Sequence, residues 1–374
     1  MLAELKRIAG ETNGCCNMDK PLVSIIVNNY NYGQFLPEAI DSTLNQTHIN
    51  TEIIVVDDGS TDNSQEVIAS YRNKIIPVLK KNGGQASALN SGFTASRGEI
   101  VIFLDADDYL FPDAVEQVVA AWEQDVAKVH YLLEVIDAHG RRVGTHPPLS
   151  RPLDSGQVWH TLLKKGRYAT PVTSGNGFRR AVLDKILPIP EAEFQIAADG
   201  YLMTLAPFYG KVVSIEKALG AYRIHGNNLW ALNKKVEVER LNKFVQHDLQ
   251  RYELLRCKST ELGYKLPRDL SCRDYLHLRN RIASLSLNPQ NHPVPSDCRL
   301  FLAYRGVWAI WRYSELSWKK RLLFSMWFVW VGLAPLPMVE PAVTWLFIPH
   351  CRPRSLDRVG NLFARACAIR KLSS

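Results

Sequence analysis

The 374-residue chain is poor in cysteine: seven are scattered along it, and none stands in a Cys-x-x-Cys or zinc-like Cys/His spacing. A disulfide framework and a structural zinc site are therefore not expected, and the pattern fits a reducing cytoplasm. The start of the chain lacks the apolar core of about 7–15 residues that a secretory signal peptide has, so we expect no such peptide. The sequence also lacks G-x-x-x-x-G-K-S/T and G-x-G-x-x-G, which argues against the two common phosphate-cradling loops.

The chain does not carry charge of one sign along its whole length. The chain has 45 Lys+Arg and 37 Asp+Glu, a formal net charge of +8. Residues 1–230 carry 21 basic and 26 acidic side chains, a net charge of −5, whereas residues 231–374 carry 24 and 11, a net charge of +13. This asymmetry indicates a polyanion or membrane partner for the basic part. Because no nucleic-acid-binding motif occurs there, we expect no nucleic-acid partner.

Short apolar runs alternate with segments of helical spacing through the first third of the chain. The strand-like runs are 22–27, 52–56, 75–79 and 99–104, and the helix-like segments are 37–46, 63–72, 85–96 and 112–123. This alternation predicts an α/β domain with a doubly wound, mostly parallel sheet. We expect an N-terminal tail over residues 1–20, the α/β domain over 21–228, and a mainly helical basic region over 229–374.

Polar clusters follow three of the predicted strands. They are Asn28-Asn29-Tyr30-Asn31, Asp57-Asp58-Gly59-Ser60 and Asp105-Ala106-Asp107-Asp108. Any one of them would pass for an ordinary turn, but the carboxyl ends of parallel strands meet at one ligand-binding edge. Paired aspartates suit Mg²⁺ or Mn²⁺, which bridges carboxylates to substrate phosphates. An aspartate can also accept an N–H from a nucleobase, and the backbone at Gly83-Gly84 can approach a ligand closely. Together these features predict a site for a nucleotide, a diphosphate and a divalent metal.

The residues around these clusters carry a family resemblance over roughly residues 20–225. The matching motifs are Val23–Val27 with Tyr30-Asn31, Val55–Asp62, Asn82-Gly83-Gly84 with Asn90-Ser91-Gly92, and Gly98-Glu99 with Phe103–Asp108. Order and spacing resemble the family 2 glycosyltransferases of GT-A fold. The resemblance implies an inverting transfer of a sugar from a nucleoside diphosphate donor, assisted by Mg²⁺ or Mn²⁺.

The resemblance also implies roles for individual residues. The residues of the nucleotide site would be Asn28, Tyr30, Asp58, Gly84 and Asp105. Asp105 and Asp107 would form the metal-binding pair, with Asp107 the direct ligand, and Asp108 would face the sugar or acceptor. Position 28 is often Pro or Thr in the family, so Asn28 departs from the pattern.

Further along, the resemblance assigns the reaction's general base and the cations of the leaving group. Asp199 would take the proton from the acceptor hydroxyl, although Ala198 stands where the family commonly has Glu. The alternative for Asp199 is a helix N-cap, and both roles are compatible. Arg223 and His225 would contact the departing diphosphate. The Q-x-x-R-W motif of processive members is absent, so we expect one or a few sugars per acceptor.

Residues 300–350 contain six of the nine tryptophans, and residues 322–339 form a run of 18 without a charge. Prolines at 335, 337 and 341 would break a spanning helix, and basic residues flank the run on both sides, at 319–321 and at 352, 354 and 358. We expect either an in-plane or re-entrant attachment to an anionic membrane, or a buried helical pair packed on the α/β domain. Attachment would place the protein in the cytoplasm, peripheral or monotopic on the inner face of the cell membrane.

Several functions remain compatible with the sequence. The leading hypothesis is transfer to an acceptor hydroxyl in surface polysaccharide or glycolipid synthesis, with a saccharide or lipid-linked acceptor. A polyprenyl-phosphate glycosyltransferase is the alternative within the same fold, and it would have less need of an acceptor base. A nucleotide-sugar-binding protein without catalysis is the alternative of a different class, and the intact aspartates at 105, 107 and 199 argue against it.

Overall fold

The computed structural model describes residues 20–194, 197–225, 236–348 and 351. Apart from residue 20, the predicted N-terminal tail lies outside the described residues. The basic residues at 352, 354 and 358, and the predicted boundary at 228/229, also lie outside them.

Nine strands in the described part of the chain form one sheet, with the order β3-β2-β1-β4-β8-β6-β9-β5 and with β7 paired to β6. The strands are β1 (Val23–Asn29), β2 (Thr51–Asp57), β3 (Ile76–Leu79), β4 (Ile100–Asp105), β5 (Tyr109–Leu110), β6 (Val126–Asp137), β7 (Arg142–His146), β8 (Asn176–Arg179) and β9 (Lys211–Ile224). The four predicted strands are β1 to β4, and all of them are present.

Twelve α-helices accompany the sheet in the described residues. They are α1 (Leu36–Leu44), α2 (Ser64–Ser70), α3 (Gly84–Ala95), α4 (Ala114–Ala120), α5 (Trp159–Lys165), α6 (Arg180–Ile186), α7 (Asp199–Leu205), α8 (Val238–Glu261), α9 (Tyr275–Leu287), α10 (Arg299–Tyr313), α11 (Trp318–Leu333) and α12 (Leu336–Phe347). The α/β class and the mainly helical C-terminal region are thus confirmed.

The first half of the sheet is parallel and the second half is mixed. Strand β1 pairs in parallel with β2 and β4, and β2 pairs in parallel with β3. Beyond β4, the short strand β8 runs antiparallel to both β4 and β6, while β6 and β9 are parallel. The mostly parallel arrangement therefore holds for the strands that alternate with helices in sequence. The parallel arrangement ends where the β6–β7 hairpin replaces a helical crossover. The turn that closes this hairpin contains Gly140 at φ 78°.

The parallel strands are apolar on both faces because helices cover both sides of the sheet. On β1, Ile25 and Val27 pack with α1 and α4, while Ile26 between them packs with α3, α6 and α7 on the opposite face. All three are fully buried. This double coverage explains why the strand reads as a continuous apolar run rather than an alternating one.

A buried ion cluster joins the α/β domain to the helical region. Arg167, just after α5, pairs with Asp248 of α8 and with Asp274, each at 2.8 Å. Arg251 of α8 pairs with the same two carboxylates at 2.8 and 3.1 Å. Asp274 also caps α9, accepting from the backbone N–H groups of its first turn. Burial alone would raise the pKa of Asp248, but Arg251 and Arg167 outweigh it and hold that pKa well below its usual range.

Helix α3 lies against the sheet through a glycine. A Cβ added at Gly92 would lie 2.4 Å from Ile26 Cγ2 and 3.0 Å from Val56 Cγ2, both in the core. We expect Gly92→Ala to lower the free energy of unfolding by about 1–3 kcal/mol through overpacking, measured by urea denaturation. Gly144→Ala on β7 is the control, because nothing lies within 4 Å of its added Cβ. An equal effect of both substitutions would contradict the close contact of α3 with the sheet.

Candidate active site

The three predicted clusters meet at one edge of the sheet. Asn28 of β1 is the register partner of Asp105 on β4, and Asn29 is the partner of Asp57 on β2. The Asn29 side chain donates to Asp57 Oδ1 at 2.8 Å, and Asn28 hydrogen-bonds to Asp105. The carboxyl ends of β1, β2 and β4 therefore form one continuous polar edge.

Asp58 is bound to the loop that begins α3. Its carboxylate accepts from Lys80 Nζ at 2.6 Å, from Gly83 N at 3.0 Å and from Gly84 N at 2.8 Å. Gly84 has φ 84°, a left-handed conformation that favours glycine. Two predicted nucleotide-site positions, Asp58 and Gly84, are therefore in direct contact. Tyr30, beside them in sequence, is 47% exposed, so its ring is accessible to a ligand.

Asp108 has a structural role in the described fold. It is buried, and its two oxygens accept from Ser174 Oγ at 2.6 Å and from the backbone N–H of Arg223 at 2.9 Å. Burial and the neighbouring Asp107 and Asp105 raise the pKa of Asp108 well above its usual range. Asp108 thus ties β9 to the loop after β4, and both of its oxygens are engaged within the protein.

Asp105 and Asp199 lie close together, with Thr173 beside both. The Thr173 hydroxyl lowers the pKa of each carboxyl, and the Asp199 carboxylate accepts from Gly200 N at 2.9 Å as α7 begins. Burial raises the pKa of Asp199 above its usual range. Burial, followed by repulsion from Asp107 and Asp199, raises the pKa of Asp105 to about 7. The predicted proton acceptor and the predicted metal pair therefore belong to one electrostatic site.

The turn at 173–175 organises this site, and Thr173 belongs to none of the sequence motifs described above. Besides the contacts of Thr173, the Ser174 hydroxyl accepts from Asp105 N at 3.1 Å while donating to Asp108. Lys80 was also not anticipated. Its position directly after β3, at the same edge as the other clusters, is the sequence signal that points to it.

Arg223 and His225 both contact Asp107. Arg223 Nε donates to the Asp107 carbonyl at 3.0 Å, and its guanidinium forms an ion pair with Glu38 over the Phe35 ring. His225 Nε2 lies 2.9 Å from Asp107 Oδ2. Both side chains reach the predicted metal-binding loop, and His225 contacts its predicted ligand directly.

The residues around Asp107 fit a divalent cation that also binds substrate. Within the described ranges, no three His, Cys, Asp or Glu side chains are grouped as a complete metal site. Asp107 and His225 nevertheless offer an oxygen and a nitrogen side by side, with Asp105 near them. Mg²⁺ is commonly bound through one or two carboxylates with substrate phosphates and waters completing the shell. The repulsion that raises the pKa of Asp105 is the kind that a cation would relieve.

Residues 24–187 match the family model described as Glycosyl transferase family 2. The chain contains a family 2 glycosyltransferase domain. The matched range holds the clusters after β1, β2 and β4 as well as the turn that joins Asp105 to Asp199. Asp199, Arg223 and His225 lie beyond it.

Proteins of similar sequence are also described as glycosyltransferases. The chain is 40% identical over 216 residues to an uncharacterized glycosyltransferase of Nostoc sp., covering 55% of this chain and 66% of that one. It is 31% identical over 224 residues to the putative glycosyltransferase EpsH of Bacillus subtilis, covering 56% and 62%. The match thus spans less than two thirds of either relative. The crystal structure of S. aureus TarS 1–349 is similar in fold, with a TM-score of 0.50 and 17% identity over 87% of this chain and 90% of that one.

The Ser174 hydroxyl provides a test of how the glycosyltransferase domain holds its acidic edge. Ser174→Ala removes the 2.6 Å donor to the buried Asp108 carboxylate. We expect it to lower the free energy of unfolding by about 1–3 kcal/mol, measured by urea denaturation at neutral pH. Ser70→Ala on α2, where the hydroxyl donates to the Val67 carbonyl at an exposed site, is the control. Equal stability of the two variants would show that Asp108 does not depend on this hydroxyl.

Proposed function

We propose that the protein is an inverting glycosyltransferase that moves a sugar from a nucleoside diphosphate sugar to an acceptor hydroxyl, in surface polysaccharide or glycolipid synthesis. The observation that supports this best is the closeness of Asp199 to Asp105, with Thr173 beside both carboxylates. It brings a carboxylate suited to proton removal beside the carboxylates suited to a donor's diphosphate and metal.

The donor would lie along the edge formed by β1, β2 and β4. The nucleotide would contact Asn28, Tyr30, Asp58, Gly84 and Asp105. Mg²⁺ or Mn²⁺ would be held by Asp107 with Asp105, and the 2.9 Å contact of His225 with Asp107 adds a nitrogen ligand to that set. When bound, the metal would neutralise charge on the diphosphate leaving group. Arg223, bound to the Asp107 carbonyl, would add positive charge on the same side.

Asp199 would act as general base. It would accept the proton of the acceptor hydroxyl as that oxygen forms a bond to the anomeric carbon and the bond from that carbon to the diphosphate breaks. A single displacement of this kind inverts the anomeric configuration. The raised pKa of Asp199, caused by burial, makes its carboxylate a better proton acceptor than an exposed aspartate. Thr173 and Gly200 N hold that carboxylate in place.

We expect Asp199→Asn to lower the rate of transfer by about 10²–10⁴-fold while donor binding is unchanged, because the amide cannot take the proton. Release of nucleoside diphosphate with an acceptor measures transfer, and calorimetric titration measures donor affinity. Asp184→Asn, exposed on α6, is the control. Normal transfer by Asp199→Asn would remove Asp199 as the base and would favour a polyprenyl-phosphate acceptor, whose phosphate needs little help from a base.

The donor and the metal can be identified together by thermal stability. In a panel of nucleoside diphosphates and their sugar conjugates with Mn²⁺, the correct donor should stabilise the protein by about 2.7 kcal/mol at 100 times its Kd. Asp107→Asn should remove the metal-dependent part of this stabilisation, whereas Asp125→Asn, exposed directly before β6, should keep it. Full metal-dependent stabilisation of Asp107→Asn would exclude Asp107 as a ligand. Donor binding without any turnover would instead favour the non-catalytic alternative.

In the part of the chain that the structure describes, the buried side of the C-terminal helices packs within the helical region and not on the α/β domain. Phe328, Val331, Val339 and Val343 are fully buried in a core that α10, α11 and α12 share with α9. The outer faces of α10 to α12 remain apolar and exposed. We define this outer face by its exposed members Leu300, Phe301, Tyr304, Trp311, Trp318, Leu322, Leu323, Met326, Val329, Trp330, Leu333, Leu336 and Met338. No helix in the described residues has the length and apolar character to cross a membrane.

We place the outer face on the cytoplasmic surface of an anionic membrane, which would put the acceptor at that membrane. Its size supports this, because exposed apolar patches of such extent usually mark an interaction surface. A groove of about 610 Å³ between α11 and the start of α12, lined by Met326, Trp330 and Leu333, gives acyl chains room to enter. Exposed Arg312 and Lys320 stand at one end of the face, where anionic head groups would meet them.

Vesicle binding tests this placement. The full chain should sediment with vesicles rich in phosphatidylglycerol more than with phosphatidylcholine vesicles. Leu323→Gln with Leu333→Gln should weaken binding roughly tenfold or more by removing buried apolar area. Leu149→Gln, 71% exposed outside the helical region, is the control. Failure of the wild-type chain to bind anionic vesicles would rule out the membrane role of this face.

A further inference from the structure

A cavity of about 340 Å³ lies beside Asp199. Three parts of the chain enclose it: the segment from β7 to β8, the first turn of α7, and helices α8 and α9. Its lining includes His146, Arg151, Asp199, Met203, His247 and Arg251. The helical region thus completes a cavity that opens onto the proposed base.

Arg251 gives this cavity a cation that two ion pairs hold in place and whose hydrogen-bonding capacity is not fully satisfied. Its side chain is only 7% exposed, with Nη1 bound to Asp248 at 2.8 Å and Nη2 bound to Asp274 at 3.1 Å. Its Nε–H is buried and has no hydrogen-bond partner in the described part of the chain. A buried donor without a partner is costly, so an acceptor atom supplied by a ligand would be favourable there.

Arg151 adds a second cation at the rim of the cavity. It is exposed, and no ion pair of Arg151 occurs among the described residues. The two histidines of the lining contribute no charge at neutral pH, because burial lowers the pKa of both His146 and His247 to about 4. Positive charge in the lining therefore comes from Arg151, Arg167 and Arg251, of which Arg167 and Arg251 are paired with Asp248 and Asp274.

We propose that this cavity binds the acceptor, and that the acceptor carries a phosphate or carboxylate held by Arg251 and Arg151 while its hydroxyl reaches Asp199. Arginine suits this role because its planar N–H groups match such oxyanions. The apolar part of the lining, including Met203, Leu276 and three prolines, would contact the carbon skeleton of the acceptor. This proposal rests on the proposed function, since it takes Asp199 as the base.

Matched acceptor pairs test the proposal with the full chain and the donor found by thermal stability. Glycerol is compared with glycerol 3-phosphate, and glucose with glucuronate, so that each pair differs by one anionic group. We expect the charged member of one pair to be used with at least about tenfold higher kcat/KM. The pair that responds shows whether phosphate or carboxylate is recognised.

Two variants test whether the preference for a charged acceptor depends on the arginines of the cavity. Arg151→Gln should raise the KM of the charged acceptor by about tenfold while the donor Kd is unchanged, because it removes one charge-assisted contact outside the donor site. Arg251→Lys should produce the same selective loss, with its unfolding transition checked because Asp248 and Asp274 depend on Arg251. Lys164→Gln, exposed on α5 and outside the cavity, is the control for removal of a positive charge.

Three results would overturn the proposal. They are equal use of neutral and charged acceptors by the wild type, unchanged selectivity in Arg151→Gln, and donor hydrolysis by water that no charged acceptor exceeds. Each of these still requires donor turnover. Absence of both donor binding and turnover is a different result, because it would overturn the proposed function itself.

Discussion

Repulsion among carboxylates at one sheet edge is the constraint on which the active-site region depends. Asp105 ends β4, Asp107 and Asp108 follow it, and α7 brings Asp199 to the same place. Buried charges of one sign destabilise a fold unless hydrogen bonds or counter-charges compensate for them. The turn at 173–175 supplies part of that compensation, because its two hydroxyls contact three of the four carboxylates. The structure of this edge therefore offsets the repulsion among carboxylates that the proposed function requires to be close together.

The local pattern of apolar and polar residues was enough to predict the part of the fold in which neighbouring strands are close in sequence. Strands β1, β2 and β4 are buried on both faces, so their continuous apolar runs and the polar residues after them are visible without any knowledge of distant partners. The mixed half of the sheet was not predictable in this way. Its arrangement depends on β8, a strand of four residues whose pairing with β4 and β6 joins positions far apart in the chain.

The same limit explains which site residues were foreseen. Asp58, Asp105 and Asp107 belong to short motifs, so their spacing alone identifies them. Lys80 and Thr173 act across 22 and 68 positions respectively, the latter counted from Asp105 (173 − 105). Only the position of Lys80 after β3 points to it, and a threonine in a loop has no distinguishing local pattern. For residues 322–339, hydropathy could not separate core from surface because α11 is apolar on both its inner and outer faces. Packing against α9 and α10 made that distinction.

The buried cluster of Arg167, Arg251, Asp248 and Asp274 makes the α/β domain and the helical region depend on each other's residues during evolution. Arg167 belongs to the α/β domain, while the other three lie in the helical region, and each carboxylate needs both arginines. A helical region taken from another family member would leave Arg167 buried without its counter-charges unless both aspartates came with it. Exchange of C-terminal regions between such enzymes is thus restricted to sequences that already share this cluster. Diversification of this chain by recombination would have to preserve the cluster, whereas point substitutions at the lining residues of the cavity other than Arg167 and Arg251 would leave it intact.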